Sequence, residues 1–442
     1  VGFSFYGLSI MIFIRPLILL LVSSLFSCLA NATPQALGSA PRLTLPADQT
    51  ASPADQDYAE GIKKLAANDT EGAELAFNRA LKKQPDHANS LLGLAEIAHQ
   101  RQHPELAAKL IKQAVKAAPD NANAQASLGR LLAVQKKYPE AEKALKKAAE
   151  LDPKLIRPRM DLADLYATVL GKPSAALSLY GQVLDIDPNH AGANYAYGVT
   201  LMRVGDLTKA RAALETSARL APANPLPLLA LARLSLQQKE LDEALILLER
   251  ALTIQPTLAD ALELRGDIQQ ARRSPDKALA DYSAAVLAQP DLVTAWLKQG
   301  IIQQQLGQYE EAKKSYLAAI KLDLKLSAAY NNLAWMETEN GKNLEQAEVW
   351  AKKAVQLSPD IADYHDTLAW VYRARGNLKD AELSLQRATR LQHVPASVFY
   401  HLGVVLQEMG KPQEAAVAFE KTLTLDKNYP AAQQALQRLQ GR

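Results

Sequence analysis

Between residues 54 and 429 small apolar residues return at fixed intervals between polar stretches. Ala73, Ala107, Ala141, Ala176, Ala210, Ala244, Ala278, Ala312, Ala347, Ala381 and Ala415 form an unbroken series whose steps are 34 residues, or 35 in two cases. A second column holds only glycine or alanine, from Gly61, Ala95 and Gly129 through Gly266 and Gly300 to Ala369 and Gly403. With residue 54 as position 1 of the first unit, these columns fall at positions 8 and 20. A third, at position 27, is alanine in eight of eleven units. The pattern predicts two antiparallel helices per unit, because small side chains let helix axes approach where larger ones would overpack at a cost of about 1–3 kcal/mol. Polar punctuation agrees. Gly205, Gly307, Gly341, Gly376 and Gly410 occupy position 15, with Asn68 in their place in the first unit, as the left-handed end of a helix requires. Pro85, Pro119, Pro153, Pro188, Pro222, Pro256, Pro290 and Pro359 stop the second helix at position 32. The two single-residue insertions fall between the helices, near Gly171 and Lys342.

Composition supports helices over sheets: hydrophobic residues make up 48% but aromatics only 6%, much of the apolar content being Ala and Leu. One unit of this length is too small to hold a core alone, so neighbours must stack. The stack must also end. Residues 429–442 place Ala432, Leu436 and Leu439 on one helical face and Gln433, Gln437 and Arg438 on the other, which predicts a solubilising final helix. The expected fold is an all-α solenoid of about eleven helix-turn-helix repeats with a C-terminal capping helix.

The period, the small residues at 8, 20 and 27, the proline at 32 and the aromatics at positions 4 or 24, such as Trp296, Tyr316 and Phe419, resemble the tetratricopeptide repeat family over about residues 54–429. Leu324, His393 and Lys427 depart from it by replacing the proline, and the early repeats lack the aromatic at position 4. The resemblance implies a right-handed superhelix whose first helices line an inner groove, and a role in binding proteins or peptides. The family's groove positions (2, 5, 9 and 12, and sometimes 6 and 13) fall in repeats nine to eleven on Asn331, Asn332, Trp335, Asp366, Trp370, Arg373, Tyr400, His401 and Gln407. In the middle repeats they include Tyr195, Met202, Arg203, Leu229, Arg233 and Leu236. Trp335 and Trp370 read either as binding anchors or as rings packed between repeats. Position 5 is never Lys and position 9 never Asn, so the clamp with which some family members hold a chaperone's C-terminal carboxylate is not expected.

The amino-terminal segment reads as an address. In residues 11–32 Arg15 precedes an apolar stretch that ends in Ala30-Asn31-Ala32, the layout of a secretory signal peptide (residues 1–32). A second reading makes Leu25-Phe26-Ser27-Cys28 a lipoprotein processing site, with Cys28 the lipidated residue and the membrane its attachment; a third leaves the segment as an uncleaved anchor. Residues 33–53, with Pro34, Pro41, Pro46 and Pro53, read as an extended linker. A periplasmic or secreted location is expected, with a membrane-anchored lipoprotein as the alternative.

Charge and chemistry narrow the function. The 50 basic and 47 acidic residues nearly balance, without the footprint of a nucleic-acid binder. Cys28 is the only cysteine, so no cysteine-based metal site is expected. His99 and His103 have metal-ligand spacing, but position 16 lies in a turn, which takes them off a common face. Glu263 and Asp267 form an acid pair that reads as a surface pair. No phosphate loop or nucleophile motif stands out, and no cofactor is expected. The sequence therefore points to a non-catalytic scaffold in the bacterial envelope, gathering partner proteins for assembly or polysaccharide export. The alternative is a glycan-binding or regulatory accessory subunit, in which Trp335, Trp370 and Tyr400 stack on sugars.

Overall fold

The computed structural model describes residues 52–440. The segment read as a signal, Cys28 and the expected linker up to residue 51 lie outside the described residues. Twenty-three α-helices follow one another, from Pro53–Ala66 to Pro430–Gln440. They form eleven helix pairs and one final helix, an all-α solenoid with no strand among the described residues. None of these helices is long and apolar enough to cross a membrane. The chain divides at Leu247 into two units.

The first unit opens with a capping box. The Asp55 N–H donates to Ser52 Oγ (3.1 Å), and the Ser52 N–H donates to Asp55 Oδ2 (3.0 Å), satisfying two backbone donors that the helix start would otherwise leave free. Pro53 therefore belongs to the first helix rather than to the linker. The alanines at position 20 are buried throughout, ten without exposure and Ala107 at 7%. The glycines at position 8 are buried against the second helix of their own repeat. An added Cβ on Gly129 would lie 2.6 Å from Leu145, and one on Gly266 would lie 2.6 Å from the Tyr282 ring.

Second helices stop in an extended residue at position 31, with or without the proline. Asp323 and Asp426 precede Leu324 and Lys427, and their carboxylates accept the N–H two residues on, from Lys325 (2.9 Å) and Asn428 (3.0 Å). The same Asx turn forms at Asp152 and Asp187, where the proline does follow, so this stop does not depend on it. His393 is different: its helix ends early, at Ala388, and His393 itself has φ 58°.

The turn at position 15 is left-handed even without glycine. Gln102, Lys136, Lys239 and Arg273 have φ between 57° and 65°, alongside Asn68 at 59°. The next residue's N–H reaches back to the last turn, as from Glu240 to Ser235 O (2.8 Å) and from Ser274 to Gln269 O (2.9 Å). A β-carbon in this region costs about 1–2 kcal/mol, part of which glycine returns through its freer unfolded chain. Lys239→Gly and Arg273→Gly should therefore each stabilise the protein by about 1 kcal/mol, read as a rise in the guanidinium midpoint, and Gly307→Ala should lower it.

Candidate functional site

In the second unit the groove columns of repeats nine to eleven converge. They lie on the first helices Ser327–Glu339, Ala362–Ala374 and Ala396–Glu408. His401 sits at the centre, with Nδ1 2.8 Å from both Oδ1 and Oδ2 of the buried Asp366. Its imidazole packs on Trp370, centroids 4.1 Å apart, and lies 6.4 Å from Trp335 and 5.8 Å from Tyr400. The Arg373 guanidinium covers Trp370 at 4.4 Å and donates through Nε to both carboxylate oxygens of Glu408, at 3.0 Å each. Tyr400 packs on Phe419 and on Tyr429 of the final turn.

Most of the candidate residues are thus engaged between repeats. Trp335 is buried, and Trp370 is half-buried with a guanidinium and an imidazole already on its ring. Asn332 is buried; Asn331 is half-buried, and its Oδ1 is a buried acceptor with no donor among the described residues. Gln407 is exposed. Tyr195, Arg203 and Arg233 belong to the first unit, where Tyr195 and Arg233 are half-buried and Arg203 is exposed.

Two buried charge networks were not anticipated. Glu263 and Asp267 do not form a surface pair: both are buried, because Lys298 of the next repeat enters between them, with Nζ 2.6 Å from Glu263 Oε1 and 2.8 Å from Asp267 Oδ2. The Tyr282 hydroxyl donates to Asp267 Oδ1 at 2.7 Å. Burial raises the Asp267 carboxyl above the ordinary carboxylate range; Lys298 opposes that shift and Glu263 adds to it. In the first unit Asp161 lies between Arg157 (Nε to Oδ1, 3.2 Å) and Arg130 (Nε to Oδ2, 3.6 Å). Burial raises Asp161, with both arginines acting against it. The neighbouring Asp164 accepts the Tyr180 hydroxyl at 2.6 Å, yet burial pushes its carboxyl up to about 6.

Asp164 makes a pH prediction. A carboxyl whose folded pKa exceeds its unfolded value favours folding when protonated. Its contribution is therefore full below pH 4 and fades as pH rises through about 6. Asp164→Asn keeps the acceptor for Tyr180 and removes the titration. At pH 7.5 the variant should be more stable by about 3 kcal/mol, and at pH 4 by about 0.5 kcal/mol, in paired denaturation curves.

His99 closes one helix, and His103 is the N-cap residue of the next, on the far side of the turn. Among the described residues no group of three or more His, Cys, Asp or Glu is arranged to hold a metal ion.

Stacked helix pairs with side chains meeting across repeats define the class of α-solenoid interaction modules. Tetratricopeptide repeat models match residues 58–156, 170–259, 293–326 and 367–432, well over half of the sequence. The chain belongs to the tetratricopeptide repeat family, and its role is protein–protein interaction, not catalysis. No curated protein matches it. Among solved structures it is similar to the anaphase-promoting complex hetero-tetramer Cut9-Hcn1, at 15% identity over 88% of this chain and 96% of that one, with a TM-score of 0.48. A tetratricopeptide repeat protein from Parabacteroides merdae is 22% identical over 57% of this chain and 98% of its own, with a TM-score of 0.44. Pseudomonas aeruginosa pilF is 23% identical over 48% and 97%, with a TM-score of 0.44.

Proposed function

We propose that the chain is an exported bacterial scaffold that gathers envelope proteins, and that repeats nine to eleven hold an extended peptide segment of one of them. The supporting observation is Asn331. Its Oδ1 is a buried acceptor without a donor among the described residues, a situation that costs about 1–3 kcal/mol. A peptide N–H that meets this half-buried side chain once it turns toward solvent removes that cost. Two repeats on, at the same position of its helix, Tyr400 offers a half-buried aromatic surface for an apolar side chain. Because Trp370 already carries Arg373 and His401, sugar stacking at that ring is the weaker reading. The expected export rests on the segment from Arg15 to Ala32, with Cys28 lipidation as the membrane-attached form.

The test places a photo-crosslinking residue at the exposed Gln407 in the producing cell. A discrete protein adduct is expected that a synthetic peptide from the captured segment competes away. Asn331→Ala should reduce it about five-fold, the loss of roughly one hydrogen bond, with helicity unchanged. An adduct indifferent to Asn331→Ala, or none at all, contradicts the peptide site. Fractionation that leaves the chain in the cytoplasm contradicts export.

A further inference from the structure

The second helices of the last three repeats, Leu344–Leu357, Leu378–Ala388 and Pro412–Leu425, carry one pattern three times. At position 22 stand Val349, Leu383 and Val417, which are 58%, 47% and 65% exposed. One helical turn later, on the same face, come Lys353, Arg387 and Lys421. One turn earlier come Glu345, Asp380 and Glu414, all exposed; Lys379 in the acidic flank and Glu420 in the basic one are of opposite sign and leave each flank with its net charge. Elsewhere this position is polar at Lys109, Lys143, Ser178 and Lys314; the exposed aliphatics Leu75 and Ile246 also occupy it, but no repeat adjacent to theirs has an aliphatic larger than alanine there. A single exposed aliphatic side chain needs no explanation. A row of them in consecutive repeats, flanked by opposite charges, is a surface built for contact. Glu345, Asp380, Arg387 and Lys421 have no salt-bridge partner among the described residues. Glu414 feels only the longer-range field of Lys411, and the Lys353 ammonium meets only the Gln356 side-chain oxygen, at 3.1 Å.

We infer that this face docks a second copy of the chain, about a two-fold axis parallel to the row Val349–Leu383–Val417. The charge layout selects both the occupant and the axis. The acids stand three or four residues before the apolar row and the bases four after it, so the row is close to the midline. A half-turn about that midline lays the acidic flank of one copy on the basic flank of the other, with the facing helices antiparallel. Asp380 then meets Arg387 of the second copy, Glu345 meets Lys353 and Glu414 meets Lys421, each pair made twice. A half-turn about the perpendicular in-plane axis sets acid on acid instead. An isologous interface requires this kind of self-complementarity. A cleft of about 670 Å³ beside Val349, floored by Tyr330 and Trp350, leaves room at the end of the row for an apolar side chain. Three helices roughly 20 Å long and about 10 Å apart offer about 600 Å² per copy, the low end for a specific interface, so the dimer is concentration-dependent in the micromolar range.

Sedimentation of the full chain from about 1 to 100 µM tests this, a range that brackets a small interface. The unchanged chain should pass from monomer to dimer, and Leu383→Glu should remain monomeric with unaltered helicity. Asp380→Lys and Arg387→Glu should each weaken the dimer about ten-fold or more, because each sets like charges opposite one another twice. An equal mixture of these two variants restores both pairings, so a mixed dimer should reappear. The proposal is overturned by a monomer at every concentration, by a dimer insensitive to these substitutions, or by a mixture that does not recover.

Discussion

Lys298→Met should cost the second unit about 3–5 kcal/mol at neutral pH, because it leaves Glu263 and Asp267 buried without their cation. All three side chains are nearly inaccessible to water, and among the described residues the Lys298 ammonium alone joins the two carboxylates. The pH dependence carries the diagnosis. Lys298 opposes the rise that burial imposes on Asp267, so its loss lifts that carboxyl further. A raised folded pKa favours folding at low pH, and the deficit should therefore shrink as pH falls and grow as it rises. A Met that merely packed badly would give a flat difference. Replacing the whole triad (Glu263→Met, Asp267→Leu and Lys298→Met together) should recover most of the stability, since an apolar core of similar volume needs no compensation. Tyr282 keeps Gln270 as an acceptor in that variant. Hydrogen exchange should locate the loss in Ala259–Ala271 and Val293–Gln305, the helices the triad joins, as nearest-neighbour stacking requires. A triple variant as unstable as Lys298→Met alone would show that shape, not charge, holds these repeats together.

The fold was legible because its signal is steric and periodic. Ala312 and Gly300 are small for a reason that the 34-residue spacing already displays, and both are buried. The left-handed turns were half-legible. Glycine marks five of them at position 15, whereas Lys239 and Arg273 adopt the same φ with no trace in residue type, because the helix pair imposes the turn. The groove was hardest to read. The family's groove positions put Asp366, Arg373 and Trp370 among the candidates, but said nothing of their partners. Those partners stand one repeat on: Asp366 and His401 are 35 residues apart, as are Arg373 and Glu408, and Asp267 and Lys298 are 31 apart. A search for opposite charges at these two offsets would have found the networks. A search for binding residues counts the same side chains as free, because propensity and composition say nothing of what lies across a repeat boundary.

Gly300→Val should lose about 2–3 kcal/mol, the upper range for overpacking, even though exchanging a helical glycine for valine favours the helix by roughly 0.4 kcal/mol. A Cβ at Gly300 would lie 2.7 Å from both Cδ1 and Cε1 of Tyr316. That ring has nowhere to move: it is fully buried between Ala312 and Ala319, and its hydroxyl donates to Gln304 Oε1 at 2.8 Å. The collision should be relieved by shrinking the ring rather than by restoring the glycine. Repeat ten already pairs Ala369 with Leu385, both buried in one cluster. Gly300→Ala with Tyr316→Leu should therefore be more stable than the sum of its single changes by about 1–2 kcal/mol, a coupling readable in a double-mutant cycle. Ala163 and Tyr180 share one buried cluster in repeat four, where the turn at Gly171 is one residue longer. The same Gly300→Ala change with an added residue after Leu306 should consequently be milder than Gly300→Ala alone. Purely additive effects in both tests would mean that the helix axes yield freely, and that the small residues at position 8 are not what sets their separation.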